Sequence, residues 1–167
     1  MSFSFLPYVQ TQKITDITEQ YLNHQGIRLL MMDFDNTIVP YTTDVPTEEM
    51  VSWFHSMKNT SIQLCVVSNS KNQRVQRFCE KYDLDCITHA RKPFSDGICR
   101  CLEKYHISAA ESALVGDQIF TDTLGANCAG VKAILVEAIH NHNIWLKLRH
   151  VAELPFIYIA RNRRMKV

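Results

Sequence analysis

Ile27-Arg28-Leu29-Leu30-Met31-Met32-Asp33-Phe34-Asp35-Asn36-Thr37 is a short apolar run that ends in two carboxylates. Such a run reads as a strand of an α/β sheet, and open α/β sheets collect their ligands at the carboxyl ends of strands. Alternation along the exit loop can turn Asp33 and Asp35 into one crevice while Phe34 returns to the core. Crowded acids repel, so one is offset by a cation or holds its proton, and either arrangement is chemically useful. Taken alone, the stretch fits equally a turn with Asx hydrogen bonds and a helix cap.

Outward from this strand the chain keeps a βαβ rhythm. Upstream, Ile14, Ile17, Tyr21 and Leu22 fall on one helical face and Gly26 is placed to stop it, a helical lead-in over about residues 1 to 26. Downstream, helical spacing resumes after Thr47 through Met50, Val51, Phe54 and Met57. The strand Ile62-Gln63-Leu64-Cys65-Val66-Val67 follows, then a helix from Lys71 to Tyr82 and a short strand at Cys86-Ile87-Thr88. A helix from Ser95 to Tyr105, a strand at Ala113-Leu114-Val115, a helix from Thr121 to Ala129 and a strand at Ala133-Ile134-Leu135-Val136 continue the alternation. Five strands alternating with helices predict a mainly parallel sheet covered on both faces, an α/β/α sandwich. Residues 140 to 153 read as a helix with Ile144, Trp145, Leu148 and Val151 on its apolar face, and Phe156-Ile157-Tyr158-Ile159 as a docked edge strand.

At 167 residues, without repeats, low-complexity tracts or Gly/Ser linkers, the whole chain from 1 to 167 reads as one domain. Hydrophobic residues make up 46% and charged residues 21%, as in soluble globular proteins, and a formal charge of +1 gives no global reason to expect nucleic acid as a partner. The basic charge is uneven: Arg161, Arg163, Arg164 and Lys166 form a cationic tail over residues 161 to 167. That tail reads either as a solvated terminus or as a patch for anionic lipid. Cys65, Cys79, Cys86, Cys99, Cys101 and Cys128 lack the paired spacing of a zinc site and look like reduced core thiols, while His140-Asn141-His142 reads as a polar loop. No apolar run reaches the length of a membrane span, and Phe3-Ser4-Phe5-Leu6-Pro7 lacks the charged start of a secretory signal, so the expected compartment is the cytoplasm.

The other chemically suggestive residues also follow strands: Ser68-Asn69 the second, Lys92-Pro93 the third, and Gly116-Asp117 with Asp122 the fourth. In a parallel sheet these ends share one rim. Each has a plain structural reading, Ser68 as a cap, Lys92 as a surface amine and Asp122 as a first-turn acid. Together they suit phosphoryl transfer. A carboxylate nucleophile meets an anionic phosphate ester only when a hard divalent cation cancels the repulsion, which suggests Mg2+ on Asp33, Asp117 and the backbone carbonyl of Asp35. Lys92 would neutralise charge in the transition state and Ser68 would donate to a phosphoryl oxygen. Asp35, if protonated, could serve as acid to the leaving alkoxide and then as base to water, with Asp122 orienting Lys92 or a metal-bound water.

Asp33-Phe34-Asp35-Asn36-Thr37, Ser68, Lys92-Pro93 and Gly116-Asp117-Gln118-Ile119-Phe120-Thr121-Asp122 resemble the four motifs of the haloacid-dehalogenase (HAD) superfamily, with Thr37 as in its phosphatase branch. Leu6-Pro7-Tyr8, Val39-Pro40-Tyr41, Ser68-Asn69-Ser70 and Ala90-Arg91-Lys92-Pro93 extend the likeness to the small YqeG-like phosphatases of subfamily IIIA. The resemblance implies a HAD-like Rossmannoid fold, Asp33 as nucleophile, Asp35 as acid/base, Asp117 as Mg2+ ligand, and Asn36, Thr37, Ser68, Asn69 and Lys92 on the substrate side. It also implies kinship with phosphatidylglycerophosphate phosphatases of phospholipid biosynthesis. The short intervals from Thr37 to Thr47 and from Ser68 to Lys92 leave no room for a large cap domain. An open site suits a phospholipid headgroup at an anionic membrane, which makes peripheral membrane contact an expectation. It suits equally a soluble nucleotide or sugar phosphate or a phosphoprotein, and two other classes stay open: a phospho-accepting receiver domain and a non-catalytic binding module.

Overall fold

The computed structural model describes residues 3–71 and 73–139, together with Pro155 and Tyr158. The apolar run at its centre forms a strand over Leu29–Met32, all four residues buried. In chain order the strands are β1 (Val9–Gln10), β2 (Leu29–Met32), β3 (Gln63–Val67), β4 (Asp85–Ile87), β5 (Ser112–Gly116) and β6 (Lys132–Leu135). The helices are α1 (Glu19–His24), α2 (Glu48–Lys58), α3 (Gln73–Tyr82), α4 (Asp96–Tyr105) and α5 (Leu124–Ala129). All the strand pairings are parallel, in the order β1-β6-β5-β2-β3-β4. The strand that delivers Asp33 therefore lies inside the sheet.

Period-two alternation explains why β2 is apolar throughout. Leu30 and Met32 face a core with Val66, Val115, Ile134, Trp53, Phe54, Met57 and Phe78, so α2 and α3 cover this side. Leu29 and Met31 face the other core with Cys65, Val67, Leu114, Ile98, Cys101 and Ala126, covered by α4 and α5. Thr47 starts α2 by accepting the Met50 N–H at 3.2 Å, and Gly130, at φ 76, ends α5 in the left-handed region that an L side chain rarely adopts. Among the described residues, no helix is long and apolar enough to cross a membrane.

The expected α/β/α sandwich is present, with a correction to the strand count. The sheet has six strands rather than five, because Val9–Gln10 pairs with Ile134 and Leu135 at the edge. Two residues carry no alternation, so only the tertiary partner marks them as a strand. The lead-in is likewise not one helix. Ile14–Asp16 forms a single 3-10 turn, closed by the Asp16 carboxylate accepting the Lys13 N–H at 2.9 Å, and α1 starts afresh after Thr18, whose side chain caps it. Ile14, Ile17 and Leu22 are still buried, and the Trp53 indole N–H donates to the Ile17 carbonyl at 2.8 Å. The apolar spacing thus marked burial correctly while the local hydrogen bonds chose a different backbone. Of the expected strand Phe156-Ile159, only Tyr158 is described; it is helical and 74% exposed, and the sheet edge beyond β6 is taken by β1. The expected helix over 140 to 153, the His140-Asn141-His142 loop and the basic tail lie outside the described residues.

Candidate active site

The Asp33 N–H continues the β2 ladder by donating to the Val115 carbonyl at 2.8 Å. The chain then folds back tightly: the Ile38 N–H donates to the Phe34 carbonyl at 3.0 Å and the Asn36 N–H to the Val39 carbonyl at 2.7 Å. Asn36 takes φ 61, a conformation that Asn tolerates better than most residues. This turn buries Phe34 against Phe78, with ring centroids 5.0 Å apart, so Phe34 returns to the core as the alternation argument expects. Asn36 itself is fully enclosed, and among the described residues its side-chain amide has no hydrogen-bond partner.

Four strand ends meet beside Asp33. Lys92, beyond β4, lies with its Nζ 2.6 Å from Asp33 Oδ1 and 2.7 Å from Asp122 Oδ1, at only 2% side-chain exposure. Asn69, after β3, holds the Lys92 backbone from both directions, accepting its N–H at 2.6 Å and donating to its carbonyl at 2.8 Å. The Asn69 amide is thereby committed to placing Lys92. Ser68 is buried, and its hydroxyl accepts the Ser70 N–H at 3.1 Å. Beyond β5, Asp122 sits on a π-helical turn over Ile119–Thr123 and accepts the Gln118 N–H at 3.1 Å, while Thr37 Oγ1 donates to Asp117 Oδ1 at 3.4 Å.

The carboxylates that converge are Asp33, Asp117 and Asp122, with one oxygen of each within 4.8 Å of the others. Asp35, expected to join the metal site through its carbonyl, sends its carboxylate elsewhere: Oδ1 accepts from Arg74 Nη1 at 2.6 Å. Arg74 has no place among the sequence-based candidates, because a basic residue in an amphipathic helix normally reads as a solvated charge. One sign was available. A cation in the first turn of α3 opposes the helix dipole, so something else must hold it there.

Burial pushes the Asp33 carboxyl up to about 7, with Lys92 pulling it down and Asp122 and Asp35 adding to the rise. Burial disfavours the Lys92 cation, but Asp122 and Asp33 more than offset this and its pKa ends raised. The Lys92 ammonium is shared by two carboxylates, Asp33 and Asp122, and a third, Asp117, lies beside them. The two charges left over, on hard oxygen donors, fit a divalent ion such as Mg2+, with Asp33, Asp117 and Asp122 as the residues able to hold it.

Gly116 is what lets Asp122 reach this centre, since a Cβ at 116 would overlap the Asp122 side chain. In Gly116→Ala we expect phosphatase turnover to fall about 100-fold through displacement of the carboxylate. The thermal midpoint should drop with it, by an overpacking cost of about 1–3 kcal/mol. Phosphate release and thermal unfolding measure the two effects, and wild-type turnover in this variant would contradict the role given to Gly116.

The family model described as mitochondrial PGP phosphatase matches residues 2–140. The chain belongs to that family. It is 33% identical over 132 residues to "Probable phosphatase YqeG" of Bacillus subtilis, covering 79% of this chain and 77% of that one. Its fold resembles the cobalt-bound deoxy-D-mannose-octulosonate 8-phosphate phosphatase of Haemophilus influenzae, with TM-score 0.54, 12% identity and 75% of each chain covered. It also resembles a 3-deoxy-D-manno-octulosonate 8-phosphate phosphatase of Moraxella catarrhalis solved with magnesium, phosphate and KDO, with TM-score 0.51, 13% identity, and 87% of this chain and 99% of that one covered. The protein is a YqeG-like phosphatase, a phosphomonoester hydrolase.

Proposed function

We propose that the protein is a Mg2+-dependent phosphatase that hydrolyses phosphatidylglycerophosphate through a phosphoryl group carried on Asp33. The observation that carries this reading is the single buried ammonium of Lys92 shared between Asp33 and Asp122, beside Asp117. Bound there, Mg2+ supplies positive charge for a phosphate that would otherwise be repelled by these acids. An Asp33 oxygen attacks phosphorus as the bond to the alkyl oxygen breaks, and Asp35 delivers a proton to that oxygen. Asp35 then takes a proton from the water that attacks phosphorus, releasing phosphate and restoring Asp33. Lys92, paired with the nucleophile, and the Ser68 hydroxyl at the end of the neighbouring strand stabilise the phosphoryl oxygens, and Asn69 holds Lys92 in place. Asn36 and Thr37 shape the turn that presents the two acids, with Thr37 reaching Asp117.

Two observations support a lipid substrate. The matching family is described by its PGP phosphatase activity. In addition, a cavity of about 450 Å³ has Thr37 in its wall together with Ile14, Ile38, Pro40, Val45, Met50 and Ile139, and with Lys13, Glu49 and Glu137 as charged groups. Pockets of this size and character accommodate the apolar body of a ligand while a few polar groups orient its head. Peripheral attachment to an anionic membrane accompanies this reading.

The test is phosphate release from phosphatidylglycerophosphate in vesicles beside soluble glycerol, sugar and nucleotide phosphates. Faster turnover of the lipid is expected, abolished by chelation and restored by Mg2+; preference for a soluble ester would replace the lipid as substrate. Because metal binding needs Asp33 ionised and burial lifts its pKa to about 7, Mg2+ affinity should rise as pH increases through that value. Calorimetry in buffers of different ionisation enthalpy checks this, by showing proton release that diminishes at higher pH.

A further inference from the structure

Arg74, which no motif names, ties together several parts of the site's outer wall. Its Nη1 donates to Asp35 Oδ1 at 2.6 Å, and its Nη2 donates to the carbonyls of Pro40 at 3.1 Å and Thr43 at 2.9 Å. Its Nε pairs with the Asp44 carboxylate. The guanidinium carbon sits over the Phe34 ring, 4.9 Å from its centroid, and the side chain is only 19% exposed. One planar cation thus joins the first turn of α3 to the residue before Asp35, to Asp35 itself and to the loop that follows it. A guanidinium can do this because its N–H groups form a rigid fork with fixed directions; an ammonium offers only a point charge on a flexible stem.

We propose that Arg74 is a positioning residue for the phosphatase reaction, holding the Asp35 carboxyl and the 40–44 loop in the arrangement from which Asp35 serves the leaving group. This rests on the reading of Asp35 as proton donor given above. With Oδ1 accepting from Arg74, Oδ2 is the oxygen that carries the proton to the alkyl oxygen as its bond to phosphorus breaks. The Phe34 ring below and the Asp44 carboxylate at the side stop the guanidinium from swinging away. Without it, Asp35 is free to rotate about its side-chain bonds, and the loop from Pro40 to Asp44 loses its anchor to α3.

Leaving-group dependence separates positioning from mere support. An alkyl phosphate needs a proton on its departing oxygen, whereas 4-nitrophenolate leaves without one, and kcat/KM reports only the steps up to departure of the alcohol. For Arg74→Met, kcat/KM for an alkyl phosphate should fall about 100-fold, the scale of general acid catalysis, while that for 4-nitrophenyl phosphate falls by less than about tenfold. Arg74→Lys, which retains the charge and an aliphatic stem but not the fork, should recover part of the loss and reports even where Met at 74 weakens folding. Asp35→Asn is the reference variant. Should it discriminate between the two esters while neither Arg74 variant does, Arg74 is not a positioning residue and the role of Asp35 stands. If Asp35→Asn loses both esters equally, the proton-donor reading itself is wrong. Equal losses for both esters in the Arg74 variants would leave Arg74 as wall support and overturn the proposal.

Discussion

Replacing Asp33 by Asn should reduce phosphate release by about 10⁴-fold, because no other group in the site can take over as nucleophile once the reacting carboxylate is gone. The fold should survive. Asn has nearly the same shape, Lys92 keeps its contact with Asp122 at 2.7 Å, and burial already biases position 33 towards an uncharged group. Phosphate release and thermal unfolding, measured on the same preparation, separate the two effects. Turnover near the wild-type rate would sink the assignment of Asp33 as nucleophile.

Lys92→Met should show the largest loss of stability. Both Asp33 and Asp122 would remain buried without their cation, and breaking a buried pair in this way costs about 3–5 kcal/mol. The loss depends on pH in a defined direction. A lysine whose folded pKa is raised contributes its stability throughout the range below the ordinary lysine value, so wild type holds this contribution at neutral pH. For Asp33 the folded pKa is also raised, so its contribution is full below the ordinary carboxylate range and is lost as pH climbs through about 7. Lys92 is the group that restrains that rise. Its removal should therefore hurt most above neutrality and progressively less as the pH falls and Asp33 takes up a proton. Denaturant unfolding of metal-free protein at roughly pH 5 and roughly pH 8 tests the sign. A deficit that grows towards acid would refute it.

Much of the site could be read along the chain, for a local reason. Each strand ends where an apolar run meets a polar turn, and the residues beyond β2, β3, β4 and β5 were identifiable from that boundary. Parallel pairing then brings Asp33, Lys92 and Asp122 within ion-pair distance although 59 residues separate the first two. What stayed hidden was the division of partners among similar groups. Asp122 meets Lys92 as the sequence reading expects, but the Arg74 that faces Asp35 is not legible along the chain. Asn69, expected on the substrate side, also bonds the Lys92 backbone at both ends. Nothing in the spacing of Ser68-Asn69-Ser70 distinguishes those outcomes, since the choice depends on where a loop 23 residues away passes.

The sequence by itself determined that this chain forms a helix-covered parallel sheet with acids, a hydroxyl and a lysine on one rim, because hydrophobic period and turn chemistry are local properties. Only the tertiary structure decided that Val9–Gln10 is a strand, that Asp122 joins Asp33 and Asp117, and that Arg74 holds Asp35. Those outcomes depend on which backbone and which charge lie a few ångströms away after folding. Coulomb and hydrogen-bond energies are set by that separation, and distance along the chain does not encode it.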